Sequence, residues 1–121
     1  MNYDIYRSTQ DISGAFSTPM PVIEVSKDTW IDGSPVISAD GLTIYWATDA
    51  GLTNDAEIWV ATRPSTSAAF VSPIRHGTLN PPQTSFDVPG WISTDNCVIY
   101  IASNRPNGKG GTDIWVAKRP L

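Results

Sequence analysis

Cysteine and histidine each occur once in this chain of 121 residues, as Cys97 and His76. A single cysteine excludes a disulfide bond within the chain and a zinc site built on thiolates. A single histidine, without a Gly-x-Ser-x-Gly turn, argues against a Ser-His-Asp triad. Cys97 precedes two apolar residues, so we interpret it as a small hydrophobic residue of a strand. We therefore expect no enzyme activity, no catalytic residue, no metal and no cofactor.

Positive charge and long apolar runs are scarce as well. Eight Lys and Arg against twelve Asp and Glu give a net charge of −4, whereas binding to nucleic acid requires a basic surface. No run approaches the roughly 18 apolar residues of a membrane helix. The first residues also lack the basic and apolar segments of a signal peptide. We expect neither nucleic acid binding nor membrane insertion.

Aromatic and turn-forming residues, in contrast, are abundant. The chain has five Trp, four Tyr, three Phe, ten Pro and nine Gly. This composition favours short strands joined by many turns, and no helical periodicity of useful length is found. An all-β protein is predicted.

One segment of the chain occurs twice. Residues 32–49 align without a gap with residues 87–104, a shift of 55 positions. Residues 57–64 align with residues 113–120 at a shift of 56, because the intervening loop is one residue longer. Strand-rich repeats of about 40 to 50 residues are typical of β-propeller blades.

A partial third copy opens the chain. It begins at Asp4, and Phe16 and Pro19 match Phe70 and Pro73. Asp4-Ile5-Tyr6 then corresponds to Glu57-Ile58-Trp59 and to Asp113-Ile114-Trp115. The extra copy provides one strand that has no obvious place in a complete unit.

Each unit contains four strand signals, named A to D from the centre of the propeller outward. In the complete unit they lie at residues 36–38, 43–47, 58–62 and 69–71. Strands B and C are apolar on both faces, as expected of a sheet packed between two others. Strand D is weaker, and its counterpart in the opening copy lies at residues 15–17. An outermost strand is partly solvated, which explains the weak signal.

We therefore predict an all-β fold of four-stranded antiparallel β-propeller blades. The chain would contain a partial blade at residues 3–23, a full blade at residues 32–75 and a blade without its outer strand at residues 87–120. A β-sandwich is the alternative, although it would not require one module to recur after 55 residues. About two blades and part of a third form an incomplete ring, since propellers use four to eight blades.

The repeated pattern resembles a known family. Asp-x-x-Pro-x-x-Ser-x-Asp-Gly-x-x-Ile-Tyr, followed by a loop and Asp-Ile-Trp-Val-Ala-x-Arg, is similar to the WD40-like Pro-Asp repeat of TolB-type bacterial propellers. The glycine-rich segment 102–115 is similar to that family's loop between strands B and C. Ala39 and Thr94 stand where the family usually has Pro, and Asn96 replaces the turn Gly.

The resemblance implies a bacterial protein of the periplasm or cell envelope that binds a protein or a glycan as a non-catalytic module. Some members of the family form the propeller of a serine peptidase. The alternative is therefore a fragment of the propeller domain of a larger hydrolase or peptidase.

An incomplete ring leaves apolar sheet faces without neighbours. Stacked repeats generally need at least three units for stability. We therefore expect a homo-oligomer, in which copies assemble head to tail, or the remainder of a longer propeller.

Ligand binding is expected on the face that carries the D-to-A and B-to-C loops, because these loops are long and polar. The predicted ligand-binding residues are Trp30, Asp32, Asp49, Asp55, His76, Asp87, Asn104 and Arg105.

Structural roles compete with ligand binding at these positions. Asp32 and Asp87 recur in register and would cap a turn through hydrogen bonds. Asp49, Asn54 and Asp55 offer oxygen ligands for calcium, although their spacing is not that of an EF-hand. Trp30 would pack over the central channel or stack on a sugar.

Overall fold

The computed structural model describes residues 3–52 and 55–120 of the chain. In this part of the chain the regular elements are nine β-strands, and there is no helix that could cross a bilayer. The strands are β1 (Tyr6–Arg7), β2 (Met20–Pro21), β3 (Asp32–Ile37), β4 (Thr43–Thr48), β5 (Glu57–Thr62), β6 (Val71–Arg75), β7 (Asp87–Ile92), β8 (Val98–Ser103) and β9 (Asp113–Lys118). The all-β prediction is confirmed.

The nine described strands form three antiparallel sheets. The N-terminal sheet has the order β1-β2, the middle sheet β3-β4-β5-β6 and the C-terminal sheet β7-β8-β9. Within each sheet consecutive strands pair with one another, so the two larger sheets are meanders. The sheets formed by the described residues do not close on one another.

The strand bounds differ from the prediction at both edges of the sheets. β3 and β7 begin at Asp32 and Asp87, several residues before the expected start of strand A, and each contains a bulge. β6 lies at Val71–Arg75 and β2 at Met20–Pro21, later than expected. The pairing of β5 with β6 shifts register between Val60 and Thr62. Bulges and register shifts leave no simple apolar alternation, which is why the sequence pattern misplaced these ends.

The first hairpin of the middle sheet closes on a serine and an aspartate. Ser38 Oγ donates to Asp40 Oδ1 at 2.6 Å, and the same oxygen accepts the amide of Leu42 at 2.9 Å. Ser38 Oγ also accepts the amide of Thr43 at 2.9 Å. Residues 93–98 of the C-terminal sheet repeat these bonds at 2.5, 3.0 and 2.9 Å. The repeated Ser-x-Asp sequence therefore specifies a repeated turn.

The turn also requires one residue in the left-handed region. Gly41 takes this position with φ of 72° in the middle sheet, and Asn96 takes it with φ of 58° in the C-terminal sheet. Asn tolerates this conformation better than other residues with a side chain. The change from Gly to Asn is thus compatible with an unchanged turn.

The three sheets are joined by two apolar cores. The first core lies between the N-terminal and middle sheets and consists of Ile5, Val25, Ile44, Trp46, Ala61 and Phe70. The second core lies between the middle and C-terminal sheets and consists of Ile58, Leu79, Ile99 and Ile101. Because Ile58 and Ala61 of β5 belong to different cores, the middle sheet is buried on both faces. This burial explains why strands B and C lack a polar face.

Main-chain hydrogen bonds couple each sheet to the next. The amide of Asp32 donates to the carbonyl of Tyr3 at 2.9 Å. The amide of Asp87 donates to the carbonyl of Ala56, the equivalent residue, at 2.7 Å. Consecutive sheets therefore meet in one repeated arrangement.

Acid is expected to destabilise the two Ser-x-Asp turns. The hydroxyl of Ser38 holds the pKa of Asp40 below its ordinary value, and the hydroxyl of Ser93 does the same to the pKa of Asp95. A lowered pKa in the folded state stabilises the protein above the unfolded pKa of about 4, and this stabilisation is lost as the pH falls through the folded value. The Asp40→Asn, Asp95→Asn double variant should lose less free energy of unfolding than the wild type between pH 5 and pH 2. Urea titration followed by circular dichroism measures this loss.

Glu24→Gln removes one carboxylate charge outside the two turns, against two in the double variant, and serves as the control. Its unfolding free energy should follow that of the wild type. Equal pH dependence in the double variant and the wild type would contradict the role assigned to the turns.

Candidate functional site

A cleft of about 620 Å³ lies along the free edge of β1. In the middle sheet, the equivalent strand β5 is paired with both β4 and β6. β1 pairs with β2 alone among the described strands, so the edge that corresponds to the β4 side of β5 is open. The cleft occupies this space, between residues 3–6 and the start of β3.

The cleft is lined by carboxylates and aromatic rings. Asp4, Asp32, Asp49 and Asp55 contribute to its wall, and the lining residues include no Lys, Arg or His. Three of the predicted ligand-binding residues, Asp32, Asp49 and Asp55, thus lie in one cleft. Exposed aromatic side chains accompany them at Tyr3, Tyr6 and Phe86.

Asp32 has a structural role at the base of this cleft. Its side chain is completely buried. Oδ1 accepts a hydrogen bond from the indole Nε1 of Trp46 at 3.1 Å, and Oδ2 accepts the amide of Lys27 at 3.1 Å. Both carboxylate oxygens are therefore engaged in fixing β3 against β4 and the preceding loop.

Asp49 and Asn104 hold equivalent loops. Oδ1 of Asp49 accepts the amide of Ile31 at 2.9 Å and that of Gly51 at 3.0 Å. Oδ1 of Asn104 accepts the amide of Phe86 at 2.7 Å. An amide oxygen serves as well as a carboxylate in this role, so the repeat conserves the hydrogen bond and not the charge.

Outside the cleft, the buried Asp87 forms an ion pair with the partly buried Arg105. The guanidinium of Arg105 contacts Asp87 Oδ1 and donates to the carbonyl of Leu79 at 2.8 Å. It also lies over the ring of Trp115, 5.6 Å from its centroid. Ser85 Oγ donates to the other oxygen of Asp87. Arg105 thus donates to Asp87 in the C-terminal sheet, as Trp46 donates to Asp32 in the middle sheet.

The two remaining predicted residues lie elsewhere. His76 lines a separate cavity of about 500 Å³ between the middle and C-terminal sheets, beside Tyr45 at 6.0 Å between ring centroids. Burial lowers the pKa of His76. Trp30 packs edge-on against Trp59, with 5.3 Å between ring centroids. The eight predicted residues therefore do not form one site.

A calcium site receives no support in the described residues. No three His, Cys, Asp or Glu side chains of residues 3–52 and 55–120 are grouped so that they could hold a metal ion. Asn54, the remaining oxygen ligand considered for calcium, lies outside the described residues.

Sequence reasoning missed Asp4, Tyr3, Tyr6 and Phe86. The first three belong to the opening copy. In the complete unit, the corresponding residues lie in β5 or directly before it, and β5 is paired on both edges, so no cleft is present there. The available signal was the extra strand itself, since a C-like strand without strand B must leave an open edge.

Loss of the Arg105 side chain is expected to cost about 3 kcal/mol of unfolding free energy, because it leaves the buried carboxylate of Asp87 without its partner. Arg105→Met preserves most of the packing on Trp115. Arg75→Met is the matched control, since Arg75 pairs with Glu57 at 2.6 Å on the surface. Such exposed pairs contribute less than about 1 kcal/mol. Urea unfolding measures both losses, and equal losses would refute the distinction.

No protein-family model, curated protein or solved structure matches this chain. The residues themselves are therefore the basis for assigning a function. The cleft along β1 is the site that they support.

Proposed function

We propose that this chain is a non-catalytic binding module of the β-propeller type, and that its cleft binds a basic, extended segment of a partner protein. The observation that carries the proposal is an open strand edge in a cleft whose lining includes three aspartates that solvent reaches, Asp4, Asp49 and Asp55, and no Lys, Arg or His. The periplasm or cell envelope is the corresponding location, by resemblance to the Pro-Asp repeat propellers.

Three features support propeller blades. The middle sheet is a four-stranded antiparallel meander. It is buried on both faces by sheets of the same repeat. The main-chain hydrogen bond from Asp32 to Tyr3 recurs from Asp87 to Ala56, so the same contact joins each sheet to the next. Related antiparallel sheets that stack face to face in the same way are typical of a propeller, which supports the proposal.

The open edge of β1 supports a peptide ligand. The amide of Ile5 donates to Ser26 Oγ at 3.1 Å, and the carbonyl of Ile5 accepts the amide of Val22 at 2.8 Å. The main-chain groups of Ile5 thus point away from the cleft. Alternation along a strand directs those of Asp4 and Tyr6 toward it. An extended peptide adds to such an edge through main-chain hydrogen bonds.

The side chains of the cleft support a basic peptide. Asp4 is exposed, and Asp49 and Asp55 are half-buried, so solvent reaches all three. Their charges attract Lys and Arg side chains, and the aromatic rings of Tyr3 and Tyr6 offer faces for cations and apolar residues. Alternating basic and apolar residues would satisfy both.

A labelled peptide of alternating Lys and Val tests the proposal. Fluorescence anisotropy at low salt should show saturable binding, and the matched Glu and Val peptide should not bind. Raising the salt to physiological strength should weaken binding, because the attraction is between charges near the surface.

Asp55→Lys should weaken binding of the Lys and Val peptide by about tenfold at low salt, since it places a cation in the cleft. Glu24→Lys makes the same change of charge outside the cleft and should leave binding within about twofold. Equal loss in the two variants, binding of the Glu and Val peptide, or binding only to a neutral glycan such as laminarin would each overturn the basic peptide as ligand.

A further inference from the structure

The same isoleucine occurs in all three sheets with very different exposure. Ile5, Ile58 and Ile114 occupy one position of strand C. Ile5 is 4% exposed and Ile58 is 0% exposed, whereas Ile114 is 73% exposed. The difference has a simple cause, because the first two are covered by the following sheet and no described sheet follows the third.

Ile114 belongs to an apolar surface on the outer side of the C-terminal sheet. We call this surface the end face and define it by Trp91, Tyr100, Ile114 and Val116, all of which are exposed. Tyr100 and Val116 are opposite one another in the ladder, as are Trp91 and Tyr100. In the middle sheet, the corresponding surface includes Tyr45 and Ile58 and is covered by the C-terminal sheet.

A complementary surface lies at the other end of the stack. It consists of Tyr6 of β1 and Phe16 of the segment between β1 and β2, and we call it the front face. These residues correspond to Trp59 of β5 and to Phe70, just before β6. Trp59 and Phe70 pack in the first core, against the sheet that precedes them. Phe70 is 7% exposed and Phe16 is 70% exposed. The front face is therefore exposed where the middle sheet has a neighbour.

The register of the strands confirms this correspondence. Tyr6 is opposite Pro21 in the N-terminal sheet, and Trp59 is opposite Arg75 in the middle sheet. The equivalent side chains thus have the same orientation relative to their sheets.

We propose that the end face of one copy binds the front face of a second copy, so that the stacking seen twice within the chain continues between chains. The contacts within the chain show which surfaces match. At both cores, the surface of one sheet that is equivalent to the end face packs against the surface of the following sheet that is equivalent to the front face. The two surfaces differ, so the contact is heterologous and each copy retains one free surface of each kind until a ring closes.

Docking would also complete the cleft. Tyr45 packs in the second core against residues of β8, the strand B of the next sheet. The N-terminal sheet has no described strand at that position, and the cleft occupies the space instead. Tyr100 corresponds to Tyr45, so docking would place Tyr100 and the neighbouring Trp91 of one copy over the cleft of the next. A role for Tyr100 and Trp91 at the cleft rests on the function proposed above, whereas the docking of two copies does not.

The test is the mass of the protein in solution, measured by sedimentation velocity over a range of concentrations. The wild type should exceed the 13.1 kDa of one chain at least twofold. Ile114→Lys and Phe16→Lys should each reduce the mass to that of one chain. Ile74→Lys, which changes an exposed isoleucine of the middle sheet away from both faces, should leave the mass unchanged. Circular dichroism verifies that each variant is folded.

Mixing the two variants distinguishes this contact from a symmetric one. Ile114→Lys retains a normal front face and Phe16→Lys a normal end face, so an equimolar mixture should form a pair of about 26 kDa, twice the mass of one chain. A folded wild-type monomer at every concentration would overturn the proposal. So would an assembly that Phe16→Lys leaves intact, or a mixture that stays monomeric. Peptide binding by the folded monomer would leave the proposed function standing if the docking fails.

Discussion

The structure depends on the burial of strand C between two sheets. Ile5 and Ile58 each extend from one sheet into the apolar surface of the next, and each is almost completely excluded from water. Burial of an isoleucine side chain contributes about 1.5 to 3 kcal/mol relative to exposure. An isolated two-stranded sheet is only marginally stable in water, and larger sheets need a packed apolar face, so these contacts between sheets contribute to the stability of all three. The main-chain hydrogen bonds donated by Asp32 and Asp87 hold each sheet in position against the preceding one.

Polar side chains in the repeat serve this stacking in two different ways. The Ser-x-Asp turns use the same residues in both larger sheets. The buried aspartates of strand A use different partners, the indole of Trp46 for Asp32 and the guanidinium of Arg105 for Asp87. A buried carboxylate needs donors, and either group provides them. The repeat therefore preserves hydrogen bonds more strictly than residue identity.

Much of the fold could be predicted from the sequence because the repeat has a clear register. The all-β class, the hairpin turns at Asp40 and Asp95, and the core positions of strand C follow from alignment of the copies. The bulges in β3 and β7 could not be predicted, since they break the alternation on which strand assignment relies. The cleft itself was not predicted. Asp32, Asp49 and Asp55 are predicted ligand-binding residues that line it, whereas the sequence predicts Asp4 and Tyr6 only as part of a strand and gives Tyr3 no role.

The turns at Ser38 and Ser93 also bear on the order in which the chain folds. Each closes a hairpin between residues that are close in sequence, and such local contacts form rapidly. Stacking joins residues as distant as Ile5 and Phe70, so it must follow. During synthesis, the apolar surface of each hairpin would stay exposed to water until the following sheet has been synthesised. A chain built in this way is most vulnerable to aggregation between the completion of one sheet and the arrival of its successor.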